Sequence, residues 1–286
     1  MARRIVGCRT SISELQLIHI PDDAGKICIF SSTNYSISKV KAIYLKDPVG
    51  SVCYDVLMND LQDFWNKNSA RIPDGKGQSL YAMEKEVLFP RNSLVCDLGG
   101  GTGTDSIYFA TKGHDVTLVD IADEPLAKAE NQSRNSGIDH KIEAVQCDFS
   151  LGALPLPDKY YDVVYSRLAL HYFESQVLSR LFAEIYRILR PHGQTYLSLK
   201  SPDDEAEMAY LSTTAIEVED GVFSEKGRLK TRYTIDRLMT ILADSGLPVD
   251  SYTVRSYREK LGNDNDIVKS GNSEFIVNEV LIQKPL

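Results

Sequence analysis

The stretch Asp97–Gly103, which reads DLGGGTG, decides the fold. It follows a short apolar run, Leu94–Leu98, and leads into Thr104–Lys112, a helical pattern that ends at Gly113. A glycine-rich turn between a strand and a helix lets the backbone approach a ligand closely and aims free amide groups at it. The stretch therefore predicts a ligand-binding loop at the carboxyl end of a β-strand.

The spacing of the glycines separates two classes of ligand. A dinucleotide-binding loop has the pattern Gly-x-Gly-x-x-Gly, in which the third glycine lets the helix pack closely on the strand. Here the alternating glycines put Thr104 where that third glycine belongs, and Asp97 is no part of the dinucleotide fingerprint. The spacing disfavours a nicotinamide-dependent oxidoreductase, which stays as a less favoured alternative.

Strand and helix patterns alternate along most of the chain, as in a parallel sheet wrapped by helices. The predicted strands are Leu94–Leu98, Asp115–Val119, Ile142–Gln146, Tyr161–Tyr165 and Gly193–Leu199, followed by a closing antiparallel pair, Val249–Tyr257 and Phe275–Gln283. The predicted helices are Tyr54–Ala70, Leu80–Phe89, Thr104–Lys112, Glu124–Ser136, Glu174–Leu189 and Thr234–Ser245. Together they predict an α/β fold: a Rossmann-like, doubly wound, mostly parallel seven-stranded sheet with an antiparallel closing strand.

The segments outside this alternation predict the domain organisation. Residues 1–53 are expected to form an N-terminal β-rich extension, with a hairpin of Leu15–Ile20 and Ile27–Phe30 and a third strand at Val40–Leu45. Residues 54–286 are expected to form the main domain. Within it, the polar stretch 201–230 is predicted to be an irregular insertion that could serve as a substrate lid.

Further acidic residues follow the second and third predicted strands. Asp120 ends the second strand, where a carboxylate can accept hydrogen bonds from both ribose hydroxyls of an adenosine. Asp148 follows the third strand and could accept the exocyclic amine of adenine, with Ile121 and Phe149 in apolar contact with the ring. Turn capping is the structural alternative for each. Acidic residues at the ends of three successive strands nevertheless favour the carboxyl edge of the sheet as a ligand site.

Several of these segments resemble motifs of class I S-adenosylmethionine-dependent methyltransferases. Val95–Thr104 resembles the first motif and Val116–Ile121 the second. Gln146–Phe149 and Tyr161–Tyr172 resemble the small-molecule branch that includes the ubiquinone/menaquinone-biosynthesis type. The resemblance covers roughly residues 80–200 and implies S-adenosyl-L-methionine as cofactor. It also implies transfer of a methyl group, by in-line displacement, to an O, N or C nucleophile of a small-molecule substrate.

The resemblance further implies a set of cofactor-binding residues at the ends of the first four predicted strands. They are Asp97, Gly99, Gly101, Asp120, Ile121, Asp148, Phe149, Ser166 and Arg167. The first three would contact the methionine moiety and Asp120 the ribose. Asp148 and Phe149 would contact the adenine. Ser166 and Arg167 would lie beside the sulfonium and contribute main-chain groups.

Methyl transfer from a sulfonium depends mainly on holding the nucleophile in line and excluding water. A base is needed only when the acceptor must lose a proton. His171 is the candidate for that role, and a purely structural histidine is the equal alternative. Tyr54 and Trp65 could cover the cofactor. No metal is predicted, because Ser166 occupies the position where a catechol-type metal site would need a carboxylate.

Composition narrows the partners and the location. The chain has 286 residues and a net charge of −8, which makes nucleic acid an improbable partner. Its five cysteines are widely spaced, as in a reducing compartment, and no apolar run is long enough to span a membrane. We expect a cytoplasmic enzyme and retain a homodimer as its candidate assembly. The main alternative is a non-catalytic methyltransferase-like subunit that acts by binding.

Overall fold

A computed structural model of the chain describes residues 15–18, 28–31, 55–70, 77–261 and 274–286, with side chains from residue 61 onwards. The chain divides into two compact units, Met1–Leu61 and Gln62–Leu286. In the first unit, β1 (Leu15–Ile18) pairs antiparallel with β2 (Cys28–Ser31), as in the predicted hairpin. The strand predicted at Val40–Leu45 lies outside the described residues.

Helix α1 (Asp55–Ser69) begins in the first unit and ends in the second. The second unit then contains α2 (Leu80–Glu86), β3 (Leu94–Leu98), α3 (Thr104–Thr111), β4 (Asp115–Asp120), α4 (Asp123–Asn135), β5 (Ile142–Gln146), β6 (Tyr161–Arg167), a 3-10 turn (Leu170–Tyr172), α5 (Ser175–Ile188), β7 (Leu189–Lys200), α6 (Glu205–Thr214), β8 (Ile216–Glu219), β9 (Val222–Glu225), β10 (Arg228–Thr231), α7 (Ile235–Asp244), β11 (Tyr252–Lys260) and β12 (Glu274–Ile282). The predicted elements therefore occur, with ends that differ by a few residues.

The central sheet has seven strands in the order β11-β12-β7-β6-β3-β4-β5. The pairings of β3 with β4 and β6, of β4 with β5, and of β6 with β7 are parallel, whereas β12 pairs antiparallel with both β7 and β11. The predicted fold, mostly parallel with an antiparallel closing strand, is confirmed. The strand order reverses between β3 and β6, and ligands of open α/β sheets bind at such a reversal, beyond the carboxyl ends of the strands.

Apolar burial on both faces holds the helices on this sheet. In α5, the buried residues Leu178, Leu181, Phe182 and Ile185 recur at helical spacing and form one stripe that packs in the larger core cluster. The second cluster includes Phe109 of α3. Each such side chain contributes roughly 1.5–3 kcal/mol to stability when fully buried. Within the described residues, no helix has both the length and the apolar character needed to cross a bilayer.

The prediction that residues 201–230 are irregular is wrong. This stretch contains α6 and an antiparallel sheet of three strands in the order β10-β9-β8, a pair of elements that we call the cap. Asp204 caps α6 by accepting a hydrogen bond from the backbone N–H of Glu207 at 3.0 Å. Strand β8 reads Ile-Glu-Val-Glu, an apolar–polar alternation that is only four residues long, and all four residues are exposed. So short a pattern was not recognised as a strand in a polar stretch.

Candidate cofactor site

The glycine loop adopts the backbone conformation that its alternating glycines favour. Gly99, Gly101 and Gly103 have φ angles of 73°, 55° and 71°, in the left-handed region that glycine enters without steric cost. The N–H of Gly99 donates to the carbonyl of Val119 at 2.7 Å, which ties the loop to the end of β4. The glycine pattern of the sequence is therefore a pattern of left-handed residues in the structure.

The glycines of the loop differ in what surrounds them. A Cβ added to Gly99, Gly100 or Gly103 would come within 2.3, 2.4 or 2.7 Å of another side chain, so these positions are packed by the protein itself. A Cβ added to Gly101 would meet nothing within 4 Å. Gly101 therefore faces open space, as a residue that cradles a ligand does.

Substituting Gly101→Ala tests this difference. Because the left-handed backbone is strained for alanine, we expect a loss of about 1–2 kcal/mol in the free energy of unfolding. We also expect at least about a tenfold loss of affinity for S-adenosylmethionine, since the methyl group would project into the ligand space. Calorimetric titration and urea unfolding measure both quantities.

Gly103→Ala is the matched control, because its added Cβ would lie 2.7 Å from the Cβ of Ala129. That substitution should cost more stability than Gly101→Ala. Unchanged cofactor affinity in a folded Gly101→Ala protein would contradict the role of this residue as a cradle.

A cavity of about 260 Å³ lies over the loop, at the carboxyl ends of β3, β4 and β6. The predicted cofactor residues that line it are Asp97, Gly99, Gly101, Asp120 and Arg167. Trp65 of α1, which was predicted to cover the cofactor, also lines this cavity. Tyr54 lies outside the described residues.

Asp120 is positioned by backbone amides at the end of β4. Its Oδ2 accepts a hydrogen bond from Gly101 N–H and its Oδ1 from Ala122 N–H, both at 2.9 Å. Burial raises the pKa of this carboxyl, and the amide hydrogen bonds oppose that rise. An ionised carboxylate has about four acceptor positions, so Asp120 keeps capacity for ligand hydroxyls.

Asp97 lies deeper, at the end of β3. It is 1% exposed, and its Oδ2 accepts a hydrogen bond from the Ser106 hydroxyl at 2.6 Å. Burial raises the pKa of Asp97 to about 8 although this hydrogen bond favours the ionised form. A positively charged ligand group in the cavity would stabilise the ionised carboxylate.

Asp105 and Tyr165 also line the cavity, and the sequence analysis missed both. Asp105 accepts hydrogen bonds from the Tyr165 hydroxyl at 2.8 Å and from the Ser79 backbone N–H at 2.7 Å. These contacts join the start of α2, the start of α3 and strand β6 around the cavity. An acidic residue in the first turn of a helix was the available signal, but such residues are common for reasons of helix stability alone.

Several predicted cofactor residues do not line the cavity in the described structure. Asp148 accepts hydrogen bonds from the backbone N–H and the hydroxyl of Ser150, at 2.8 and 2.6 Å, which is the turn contact considered as its alternative. Phe149 is buried beside Gly99, whose added Cβ would lie 3.7 Å from the ring. The assignment of both residues to the adenine stays a prediction.

Ile121 and Ser166 also lie outside the cavity lining, and their roles stay predictions as well. Ile121 is buried, and its carbonyl accepts a hydrogen bond from the Gln146 side chain at 3.0 Å. The Ser166 hydroxyl donates to the Leu98 carbonyl at 2.7 Å, so this side chain ties β6 to β3. That contact leaves main-chain groups as the means by which Ser166 could reach a cofactor.

Arg167 lines the cavity from the end of β6. Its Nε donates to Oε1 of the buried Glu259 at 2.5 Å, so a residue of β11 holds the guanidinium. Glu259 follows Arg167 by 92 positions in the chain, and no sequence spacing could have indicated this pair.

His171, the predicted base, is buried and lies behind the cavity wall. Its ring packs on Tyr172, with ring centroids 4.3 Å apart, and Tyr172 in turn packs edge-on against Trp65 at 4.8 Å. Burial, reinforced by the charges of Arg232, Lys200 and Lys230, lowers the pKa of His171 well below its usual value. The ring is therefore neutral near pH 7, and the same burial and charges oppose its protonation. Its catalytic role stays a prediction.

Comparison with known proteins agrees with this geometry. Residues 95–193 match the family described as methyltransferase domain. The malonyl-[acyl-carrier protein] O-methyltransferase of Pectobacterium atrosepticum is 38% identical over 109 residues, which cover 37% of this chain and 39% of that protein. A ubiquinone/menaquinone biosynthesis C-methyltransferase of Pectobacterium carotovorum is 33% identical over 107 residues, which cover 36% and 41%. The chain thus matches about two fifths of the length of these curated relatives.

Solved structures show the same fold. An S-adenosylmethionine-dependent methyltransferase of Methanosarcina mazei gives a TM-score of 0.58 at 22% identity, covering 73% of this chain and all of that one. The 1,6-didemethyltoxoflavin-N1-methyltransferase of Burkholderia thailandensis gives 0.55 at 18% identity, covering 80% and 88%. The predicted resemblance to class I S-adenosylmethionine-dependent methyltransferases is confirmed.

Proposed function

We propose that the chain is an S-adenosylmethionine-dependent methyltransferase that acts on a small-molecule acceptor. The observation that carries the proposal is the pairing of Gly101 with Asp120. Gly101 has a left-handed backbone, faces open space and donates its N–H to the Asp120 carboxylate. This carboxylate can accept further hydrogen bonds, and the pair lies where the strand order of the sheet reverses. This arrangement supports the binding of a ribose-containing ligand beside the glycine loop.

The residues present fit the cofactor. Asp120 is the acceptor for ribose hydroxyls, and the ionised form of Asp97 is the counter-charge for a positive group of the methionine moiety. When bound, the cofactor supplies a methyl group on positively charged sulfur, which an acceptor lone pair displaces while the carbon–sulfur electron pair stays on sulfur. Trp65 and Tyr172 form an apolar wall that excludes water from one side of the cavity.

A proton must leave the acceptor when its nucleophile is a hydroxyl or a protonated amine. Neutral His171 has one ring nitrogen without a hydrogen, and that nitrogen is the site at which it would accept the proton. We therefore retain His171 as the proposed base. We also retain the cytoplasmic location and the homodimer as proposals, the latter open to sedimentation analysis.

The oxidoreductase alternative has one feature in its favour. Tyr81 and Lys85 on α2 show the Tyr-x-x-x-Lys spacing of a hydride-transfer pair. However, the Tyr81 hydroxyl donates to Glu279 at 2.9 Å and Lys85 Nζ lies 2.7 Å from the same carboxylate, all of them buried. Neither residue lines the cavity over the glycine loop. The pair is better explained as a structural link between α2 and β12.

The test is turnover with methyl-labelled S-adenosylmethionine and a metabolite extract. We expect formation of S-adenosylhomocysteine together with a labelled low-molecular-weight product, and saturable cofactor binding without an acceptor. NADH and NADPH, titrated by difference absorbance, should not bind. Cofactor binding with no turnover on any acceptor would favour the non-catalytic alternative, and binding of a nicotinamide cofactor instead would overturn the proposal.

A further inference from the structure

Three polar side-chain atoms in and beside the cap are buried without a partner among the described residues. His171 Nδ1, Thr231 Oγ1 and Arg232 Nε belong to residues that are at most 3% exposed, and none of these atoms has a hydrogen-bond partner in the described part of the chain. Strand β10, which ends at Thr231, packs against the 3-10 turn that contains His171. Buried polar groups in native proteins are almost always paired. Among the described residues these atoms lack the partner that burial requires, and a bound ligand can supply it.

The charges around these atoms define what that partner would be. Arg232 donates to Glu207, and Lys200 Nζ lies 3.2 Å from the same carboxylate. Lys230 Nζ lies 2.7 Å from Glu225. Three cationic side chains thus share two carboxylates, although the chain as a whole carries a net charge of −8. These five side chains together carry one net positive charge, which favours an anionic ligand.

Arg232 is the member of this group best suited to hold an anion. Its Nη1 donates to the Thr231 carbonyl at 2.8 Å and its Nη2 to Glu207, which fixes the guanidinium in place and leaves Nε–H available. The Thr231 hydroxyl and, in one tautomer, His171 Nδ1 can also donate. Donors fixed around a guanidinium favour a carboxylate or phosphate, because charge-assisted hydrogen bonds are the strong ones.

The group lies next to the cofactor cavity. His171 packs on Tyr172, and Tyr172 packs on Trp65, which lines the cavity. Arg228, at the start of β10, places its guanidinium 3.7 Å from the centroid of the Phe64 ring. The cap and the end of α1 therefore meet beside the cavity wall that Trp65 forms.

We propose that the methyl acceptor carries a carboxylate or phosphate group, which Arg232, Thr231 and His171 bind beneath the cap. This inference rests on the proposed methyltransferase function and names its class of substrate. Since the three residues are buried, the cap must move to admit the acceptor. Arg232 then determines specificity for the anionic group, while the cavity over the glycine loop binds the cofactor.

The experiment uses the chain's single tryptophan, Trp65, as its reporter. The protein is first saturated with S-adenosylhomocysteine and then titrated, at constant ionic strength, with acetate, inorganic phosphate or the uncharged acetamide. We expect saturable changes in Trp65 emission with at least one anion, at least about tenfold tighter than with acetamide.

Three variants test whether these side chains bind the anion. Arg232→Met should weaken anion binding at least about tenfold and leave S-adenosylhomocysteine affinity unchanged. Thr231→Val keeps the shape of the side chain, so it should weaken anion binding severalfold. It should not lower the melting temperature, because the removed hydroxyl has no partner among the described residues. Arg190→Met, at the opposite end of β7 from Lys200, is the matched control and should change nothing in these titrations.

The outcomes separate the two proposals. The inference is wrong if acetamide binds with the same affinity as the two anions, or if neither anion gives a saturable response. In either case, binding of S-adenosylhomocysteine would still support the proposed methyltransferase function. Anion binding that survives both Arg232→Met and Thr231→Val also overturns it, and Thr231→Val decides alone if Arg232→Met does not fold. Failure of the wild-type protein to bind S-adenosylhomocysteine would overturn both proposals.

Discussion

Asp120→Ala is expected to weaken S-adenosylmethionine binding by a factor of about 100 or more. A hydrogen bond to a charged acceptor is worth about 1.5–3 kcal/mol, and the proposed role gives Asp120 two such bonds to the ribose hydroxyls. The substitution also removes the acceptor of the Gly101 N–H, so the loop loses the contact that sets its position. Calorimetric titration with S-adenosylmethionine and S-adenosylhomocysteine measures the loss.

The matched control is Asp115→Ala, at the other end of the same strand. Asp115 is exposed and lies 3.1 Å from Lys141 Nζ, far from the cavity lining. Asp115→Ala should leave the affinity for S-adenosylmethionine unchanged, and it should change stability little because exposed ion pairs contribute little to stability. Asp120→Asn, which keeps the size of the side chain, should fall between the parent and the alanine variant. An Asp120→Ala protein that binds the cofactor as tightly as the parent would remove the proposed ribose contact.

Asp97→Asn is expected to have opposite effects on stability and on cofactor affinity. The pKa of an aspartate in the unfolded chain is about 3.8, whereas burial raises the pKa of Asp97 in the folded protein to about 8. Below about pH 4 the carboxyl is protonated in both states, so the substitution has little effect there. Between those two pKa values the unfolded state releases the proton first, so the wild type loses stability as pH rises. Above about pH 8 the loss is constant.

The size of this loss is set by the pKa difference. It is on the order of 5 kcal/mol, and asparagine avoids it because it does not ionise. The Asp97→Asn protein should therefore be more stable than the parent at pH 8 and equally stable near pH 4, as measured by urea unfolding at several pH values. Asn in place of the exposed Asp244 on α7 is the control and should show no such pH-dependent gain.

The same substitution should lower S-adenosylmethionine affinity by at least about tenfold at pH 8, because it removes the counter-charge of the methionine moiety. Below about pH 8, Asp97 of the wild type must lose its proton when the cofactor binds. The affinity of the wild type for S-adenosylmethionine should therefore rise with pH over that range, relative to the affinity of the variant. Parallel pH profiles for parent and variant would contradict the raised pKa as well as the proposed contact.

The sequence predicted those features that repeat along the chain or lie within a few residues of each other. The buried strand β3, the alternating glycines and the helical stripe of α5 are local patterns, and they were sufficient to predict the central sheet and its antiparallel closing strand. The cap was missed because β8, β9 and β10 are only four residues long, so the apolar–polar alternation of β8 was too short to stand out in a polar stretch.

The parts of the site that depend on distant segments could not be predicted. Asp105 is held by Ser79 and Tyr165, which are 26 and 60 positions away in the chain. The burial of His171 depends on packing against β10, which no motif around His171 indicates. These contacts follow from the tertiary fold, and residue type alone carries no signal of them.

The position of β12 has a consequence for how the protein is made. This strand is the last of the central sheet to leave the ribosome, yet it lies in the interior of the sheet between β7 and β11. Strand β11 is synthesised earlier but must wait for β12 before it can join, and pairing between distant segments is slow. Arg167 therefore gains its partner Glu259 only after residues 274–282 have been translated, and a nascent chain stalled before that point carries an incomplete cavity wall.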